Sequence, residues 1–466
     1  MDTLHAISPL DGRYSPSTAP ISLYASEAAL ITYRLRVEAH WLDYLAKKEE
    51  IYPGTLLSLI PAEHRNPIVT FLQEVQQGNI AKEATARIKA LEQTTQHDVK
   101  AVEYYLKERL QAYKAPEHFL AFIHFAATSE DINNLAYGLM LKDLRCHIIL
   151  PKLHTLIKNV RSMAHTYASS AMVGRTHGQV ASPTTMGKEL SVFVSRLQRQ
   201  YHLLQQQAIT GKMAGATGNY NAHLIAYPSV PWQDWGKEFV TSLGLQHNPT
   251  VTQIENHDTL AEYLDTLRRI NSICLDLARD MWGYISLGYF SQHVQPNEVG
   301  SSTMPHKINP IDFENAEGNL GLASSLCVHL SEKLLISRYQ RDLSDSTVLR
   351  SLGSCVSYHS LAIQGLLKGL SKVALNQEVL DNDLHKAHEV LAEAIQTLLR
   401  KHGIHDGYEK LKEKTRGKPI SSQTMQQISK DLSSLLPESA HEDRKRLLSL
   451  TPHTYIGSAA DIASNI

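Results

Sequence analysis

A long apolar seam between residues 257 and 287 is the feature that most restricts how this chain can fold. Apolar residues recur there on alternating steps of four and three positions, and Asn271 is the one polar interruption. The members of the seam are Leu260, Leu264, Leu267, Cys274, Ala278, Met281 and Ile285. This period places them on one face of a long helix, which has to pack lengthwise against other helices. The seam therefore predicts a helical bundle, and its length indicates that the bundle continues into contacts between subunits.

Further stretches have the same helical character. They cover residues 26–49, 80–113, 188–209, 311–335 and 346–372. Because no convincing run of alternating β-branched residues accompanies them, we expect an all-α protein. We divide it into an N-terminal helical domain (1–117), a central long-helix bundle that carries a polar loop (118–373) and a small helical C-terminal domain (374–466).

The charge balance excludes some partners. The formal net charge is −1 at pH 7, so no global field attracts nucleic acid or an anionic membrane. An anionic ligand must then be held by a local cluster of donors. The four cysteines have no close pairing, which suggests reduced thiols in the cytoplasm. The N-terminal residues lack the pattern of a signal peptide, and no apolar run is long enough to span a membrane.

Several chemistries lack their sequence signature. The chain has 24 histidines but no HExxH or CxxC, and the pair His402 and His405 has no third ligand nearby. There is no P-loop, no GxGxxG after a strand and no nucleophile elbow. We therefore expect neither a metal nor a cofactor, and acid–base chemistry is what remains.

Residues 300–310 carry the most distinctive motif, with the sequence GSSTMPHKINP. Glycine and serine allow close backbone approach, while Pro305 and Pro310 restrict the residue before each of them. Hydroxyls, a cation and a carboxamide lie within a few positions of one another. On loop composition alone, a surface turn is the competing interpretation.

This motif resembles the signature of the fumarase/aspartase superfamily, whose members eliminate fumarate from succinyl-type substrates. With His306 after Met-Pro, and with matches from about residue 7 to residue 457, the chain is most similar to the bacterial adenylosuccinate lyase branch. The resemblance implies a homotetramer with a central helix bundle, active sites shared between subunits, and no cofactor.

The resemblance also implies the catalytic roles. Ser301 on the loop would be the base that removes a proton next to a carboxylate. Lys307 and Asn309, joined by Ser302, would stabilise the charge that develops on that carboxylate. His177 in Thr-His-Gly-Gln would be the acid that protonates the leaving nitrogen, oriented by Glu314. His97 would assist the acid or hold a substrate carboxylate.

A purine ribotide also carries a phosphate, which calls for arginine, hydroxyl and phenol donors. The resemblance assigns such substrate contacts to residues scattered over much of the chain. They are Arg13, Tyr14, Gln96, His97, Asp98, Thr128, Ser129, Gln253, Ser302, Lys307, Ile308, Asn309, Asn315, Arg341, Ser346, Thr347 and Arg350.

Two alternatives remain open at this point. Another fumarate-releasing lyase of the superfamily, such as argininosuccinate lyase or fumarase, would not need the phosphate donors around Arg13 and Arg341. A non-catalytic helical scaffold is the rival from a different class of protein. The joint presence of His177, Ser301 and Lys307 speaks against that scaffold.

Overall fold

The structure is a computed structural model. It describes residues 3–293, 304, 307–405, 409, 411 and 420–466, and within these it leaves the side chain of Lys82 undescribed.

Helices dominate the described residues and confirm the all-α class. Those of the N-terminal half are α1 (Ser15–Ala25), α2 (Glu27–Ala46), α3 (Ala62–Gln76), α4 (Lys82–Thr95), α5 (Asp98–Ala112), α6 (Glu117–Leu120), α7 (Ser129–Leu144), α8 (Leu150–Thr166), α9 (Met186–Gln206), α10 (Asn221–Ala226) and α11 (Trp232–Ser242). The remainder are α12 (Asp258–Ser286), α13 (Ile311–Leu334), α14 (Ser344–Leu349), α15 (Leu352–Leu370), α16 (Gln377–Lys386), α17 (Ala392–Lys401), α18 (Ser422–Ser433), α19 (His441–Ser449) and α20 (Ala459–Ser464).

Short strands accompany the helices, and the sequence did not predict them. The antiparallel hairpin of β1 (Ala171–Thr176) and β2 (Gln179–Thr185) is the longest pair. β3 (Thr210–Gly211) pairs in parallel with β4 (Gln246–His247), and β5 (Phe290–Gln292) pairs antiparallel with β6 (Val373–Leu375). Each pair is two-stranded, so these strands clamp connections between helices and do not form a core sheet.

The predicted seam is confirmed as helix α12. Leu264, Leu267, Cys274 and Met281 are fully buried along it. Asn271 is buried as well, and its Oδ1 lies 2.6 Å from Nδ1 of His359. The polar interruption of the seam is therefore paired inside the helical core.

Two predicted helices are in fact broken. The helix expected over 80–113 ends at Thr95, because Gln96 adopts a left-handed backbone with φ 54° and His97 is extended. The helix expected over 346–372 is divided into α14 and α15. The first break places the N-terminus of α5 directly after His97.

The chain forms two compact units. The first unit comprises Met1–Lys152, Gln200–Ser272 and Gly318–Ala362, and the second comprises Leu153–Arg199, Ile273–Glu317 and Ile363–Ile466. In the first unit, the aromatic rings of Trp41 and Phe239 pack edge to face with centroids 4.9 Å apart. In the second unit, β1 contributes Ala171 and Val173 to the core of the C-terminal helices. The division into three consecutive domains remains a prediction.

No helix in the described part of the chain is both long and apolar enough to cross a membrane. The four cysteines are free thiols, and only Cys146 is exposed. The Sγ atoms of Cys327 and Cys355 lie 3.2 Å apart inside the first unit.

The turn that leads into α7 is held by buried polar contacts. His124 and Ala126 both have φ 56°, a region that non-glycine residues seldom occupy. Nδ1 of His124 lies 2.6 Å from the fully buried carboxylate of Glu38, and the Trp41 indole donates to the carbonyl of Phe125 at 2.9 Å. These contacts offset the backbone strain and fix where α7 begins.

We expect the ion pair of His124 to make the free energy of unfolding fall as the pH becomes alkaline. Burial alone would lower the pKa of His124, but the carboxylates of Glu38 and Glu103 outweigh it and raise that pKa to about 9. A raised pKa stabilises the fold below the unfolded value of 6.5, and the stabilisation is lost as pH rises through about 9. Urea unfolding at about pH 6 and about pH 10 should therefore show wild type losing up to about 3 kcal/mol more than His124→Gln. Equal losses in the two proteins would contradict this role of the ion pair.

Candidate active site

The N-terminus of α7 presents Thr128 and Ser129, as the sequence predicted for a capped helix start. The Thr128 amide donates to Oδ2 of Asp131 at 2.8 Å. The same buried carboxylate accepts from the amides of Ala214 at 2.9 Å and Gly215 at 3.0 Å, and it pairs with Nζ of Lys212 at 2.8 Å. The start of α7 is thus joined to the glycine turn that follows β3.

His97 caps the N-terminus of α5. Its Nδ1 accepts a hydrogen bond from the Lys100 amide at 3.2 Å, so this nitrogen carries a lone pair and no proton. The imidazole is thereby assigned as the tautomer with hydrogen on Nε2. About half of the His97 side chain is exposed, at 51%. His97 can therefore donate a hydrogen bond to a ligand through Nε2.

One cavity of about 400 Å³ in the first unit gathers many of the predicted substrate contacts. Seven of them line it: His97, Asp98, Ser129, Arg341, Ser346, Thr347 and Arg350. They come from the start of α5, the start of α7 and the segment around α14. Residues far apart in the sequence are therefore neighbours in this cavity.

The cavity also has lining residues that the sequence did not single out. These are Arg34, Glu130, Asn133, Tyr137, Leu343 and Leu349. The first four are polar side chains at buried helix positions. Buried polar residues on a site wall are a useful signal, but the sequence alone does not show which polar residues of a helix point inwards.

The arginines of the cavity are held by specific partners. Arg341 pairs with the Glu130 carboxylate at 3.1 Å and donates to Oε1 of Gln253 at 3.1 Å. It also donates to the Ser346 hydroxyl at 3.3 Å. Arg350 pairs with Glu27 at 2.8 Å and with Asp98 at 3.4 Å. Both guanidinium groups are thus placed before any ligand arrives.

Burial and charge shift the acidic groups of the cavity in opposite directions. Burial would raise the pKa of Asp98, but Arg34, the Val99 amide and Arg350 outweigh it and lower that pKa. Burial raises the pKa of Glu130 against the opposing effect of Arg341. Burial also raises the pKa of Tyr137 to about 12, which keeps its phenol protonated at neutral pH. The wall therefore offers ionised Asp98 and a neutral phenol donor.

His177 lies at the tip of the β1–β2 hairpin in the second unit. Thr176 pairs with Gln179, so His177 and Gly178 form a two-residue turn, and both have positive φ. Such a turn requires positive φ at both central positions, which glycine tolerates and histidine adopts more readily than most residues. The His177 side chain is exposed and makes no hydrogen bond with any other described residue.

Glu314, the predicted orienting group for His177, has another partner within this chain. It accepts a hydrogen bond from the Trp282 indole at 3.1 Å, and it lies in the first turn of α13. Asn315 follows it on the same helix and is exposed. The predicted hydrogen bond between Glu314 and His177 is therefore not made within the described part of one chain.

The polar motif is described only in part. Ser301 and Ser302 lie outside the described residues. Lys307 is exposed, and its amide donates to the Met304 carbonyl at 3.0 Å. The carbonyl of Ile308 accepts from Nε2 of Gln292 at 3.0 Å, and Asn309 follows just before α13. The cationic side of the motif thus lies at the N-terminus of α13.

The other predicted contacts that the structure describes do not line the 400 Å³ cavity. Arg13 and Tyr14 form the turn before α1, and Gln96 ends α4. Gln253 reaches the site indirectly, through Arg341. Within the described ranges, no three histidine, cysteine or carboxylate side chains are grouped as a metal site would need.

Comparisons with known proteins cover almost the whole chain. Residues 12–323 match the family model described as lyase, and residues 337–456 match the one described as adenylosuccinate lyase C-terminal. The chain is 48% identical to the adenylosuccinate lyase of Haemophilus influenzae over all of its length and 99% of that protein. It is 47% identical to the adenylosuccinate lyase of Escherichia coli K12, again over all of this chain and 99% of that protein.

Solved structures of lower identity share the fold. A fumarate lyase from Mesorhizobium has a TM-score of 0.71 at 18% identity, covering 97% of each chain. The 3-carboxy-cis,cis-muconate lactonizing enzyme of Pseudomonas putida has a TM-score of 0.70 at 19% identity, covering 97% of this chain and 96% of that one. These likenesses support the helical architecture.

We expect the cap made by His97 to be replaceable by asparagine. Asparagine is a favourable N-cap, whereas alanine has no side-chain acceptor for the Lys100 amide. His97→Asn should keep the free energy of unfolding of wild type to within about 0.5 kcal/mol, and His97→Ala should lose about 1 kcal/mol. Urea denaturation of the three proteins measures this difference. Equal destabilisation by both substitutions would show that Nδ1 does not cap α5.

Proposed function

This chain belongs to the adenylosuccinate lyase family, and we propose that it releases fumarate from two ribotides of purine synthesis. Adenylosuccinate would leave AMP, and the succinyl-aminoimidazole-carboxamide ribotide would leave the carboxamide ribotide. Identity of 47–48% along the full chain to proteins named adenylosuccinate lyase makes it a lyase and confirms the resemblance seen in residues 300–310.

The cavity of the first unit is the observation that best supports a ribotide substrate. Arg341 and Arg350 offer guanidinium groups, which suit a phosphate better than a point charge does. Ser346, Thr347 and Ser129 add hydroxyls in the same cavity. A bare dicarboxylate would not need so many donors away from the reacting bond.

The base and the charge stabiliser are assigned to the polar motif. Ser301, as an alkoxide, would take the proton from the carbon next to the carboxylate that becomes electron-rich. The electron pair of that C–H bond would spread onto the carboxylate, where Lys307 and Asn309 would stabilise it. Lys307 is exposed to solvent in the single chain, so the substrate carboxylate or a neighbouring subunit would have to cover it.

The acid is assigned to His177. As the carbon–nitrogen bond breaks, the carbanion electrons form the double bond of fumarate and the nitrogen leaves. Imidazolium can protonate that nitrogen near neutral pH. The exposed position of His177 at a hairpin tip suits a side chain that reaches into a site completed by another chain.

We propose that four chains form the active enzyme and that each site takes residues from several of them. The outer face of α13 supports this assembly: Gly318 and Gly321 have open space where a side chain would be, and Leu322 is 51% exposed. Small residues allow the backbones of helices to approach closely, and a contiguous exposed apolar patch marks an interaction surface. A cytoplasmic location is also proposed, supported by the four free thiols.

Purified enzyme should release fumarate from both ribotides and not from argininosuccinate or malate. The new double bond is followed by ultraviolet absorbance. His177→Ala and Ser301→Ala should each lower kcat by about 10²-fold or more, because each removes a proton-transfer group.

Asn465→Ala changes an exposed residue that does not line the 400 Å³ cavity, and this control should keep full activity. Release from argininosuccinate in place of the ribotides would move the chain to the rival branch. If wild type were as inert as both variants towards all of these substrates, the scaffold interpretation would stand.

Shared sites predict complementation between inactive variants. We expect mixtures of His177→Ala with Ser301→Ala, or of either with Arg341→Met, to regain activity after mild dissociation and reassembly. Some mixed tetramers would then hold a site whose mutated residues all lie elsewhere. Each variant treated alone is the control. If no pair regains activity, although an untagged variant co-purifies with a tagged one and so shows mixed assembly, each site comes from a single chain.

A further inference from the structure

A line of ion pairs, with one neutral amide in it, runs along the wall of the first unit's cavity. Starting from Arg350, it passes to Asp98 at 3.4 Å and from there to Arg34 at 2.8 Å. Nε of Arg34 donates to Oδ1 of Asn133 at 2.8 Å. The line ends with Arg341, as the next contacts show.

The amide of Asn133 donates to Glu130 at 3.4 Å, and Glu130 pairs with Arg341 at 3.1 Å. The two end members, Arg341 and Arg350, are the arginines proposed to meet the phosphate. Arg34 lies at the centre and touches neither of them in this set of contacts. Arg34 lines the cavity but is almost fully buried, so the role considered for it acts through its neighbours.

The burial of Arg34 is not explained by a contribution to stability. It is only 3% exposed, and Nη1 is a buried donor with no hydrogen-bond partner among the described residues. Buried ion pairs seldom stabilise a fold more than well-packed apolar residues do, and an unpaired buried donor destabilises it. Such a group needs an explanation other than packing.

We propose that Arg34 is a positioning residue for the ribotide site, which it organises by holding Asp98 and Asn133 in place. Through Asp98 it fixes the guanidinium of Arg350 and the start of α5, which follows His97. Through Asn133 and Glu130 it fixes Arg341. The proposal rests on the proposed function, because the arginines are assigned there as phosphate contacts.

The physical benefit is preorganisation. Donors that are already fixed do not lose conformational entropy or rearrange when the ligand binds, so they bind it more tightly. Without Arg34, Asp98 would keep Arg350 and the Val99 amide as partners, so its charge would not be stranded. The fold should therefore tolerate the loss of Arg34 better than the site does.

Binding of AMP to the full-length enzyme, measured by calorimetry, tests this without relying on turnover. We expect Arg34→Met to weaken AMP binding and to raise KM by about ten-fold or more, since a charge-assisted hydrogen bond is lost. Arg34→Lys keeps the cation and should lie between wild type and Arg34→Met. kcat should change much less than KM.

Arg36 on the same helix offers a matched control. It pairs with Asp143 at 3.7 Å, donates to the Gln76 carbonyl at 3.1 Å and does not line the cavity. Arg36→Met removes the same charge from α2 and should leave AMP binding within about two-fold of wild type, since surface ion pairs contribute little. Equal losses in the two variants would overturn the proposal.

A double-mutant cycle with Asp98→Asn identifies the route. If Arg34 acts through Asp98, the two substitutions together should weaken AMP binding less than the product of their separate effects. Full additivity with Asp98→Asn, and also with Asn133→Ala in a second cycle, would overturn the proposal. Unfolding of both Arg34 variants would overturn it as well, because it would assign Arg34 to the fold. Failure of wild type itself to bind AMP would instead count against the proposed ribotide site.

Discussion

The contacts of the buried Asp131 carboxylate are the interactions on which the site depends most. It is fully buried and faces the equally buried ammonium of Lys212. Removing both charges from water costs several kcal/mol, and one ion pair seldom repays that cost. Three backbone amides complete the shell, from Thr128, Ala214 and Gly215. With all its acceptors engaged, the carboxylate ties the start of α7 to the glycine turn after β3.

That tie closes into a ring through the neighbouring residue. The turn continues to Ala216, whose carbonyl accepts from Gln253 at 3.0 Å. Gln253 in turn accepts from Arg341, and Arg341 pairs with Glu130, which precedes Asp131 in the chain. Glu130 and Asp131, which are adjacent in the first turn of α7, thus close the ring. Both side chains lie in the first turn of α7, where the field of the helix N-terminus favours negative charge.

The sequence predicted the helices better than the inner wall of the site. The sequence predicted α12 because a long run of apolar residues with a helical period leaves few alternatives to a helix. Arg34 was not predicted, because it lies between Tyr33 and Leu35, both buried, and its burial follows from helices that pack on α2 from several sides. The His177 hairpin was also missed, since β1 and β2 are short and lack alternating β-branched residues.

The cavity of the first unit and the pair His177 and Lys307 of the second unit differ in exposure, and this difference gives a chemical reason for an oligomer. In the first unit, Arg34, Glu130 and Asn133 of the cavity wall are buried and paired. His177 and Lys307 of the second unit are exposed. An elimination that develops charge on a carboxylate gains most from fixed donors in a site that excludes water. The exposed groups proposed for catalysis would not meet that condition until another surface covered them. Assembly of several chains would supply the cover, so oligomer formation and catalysis would depend on the same surfaces.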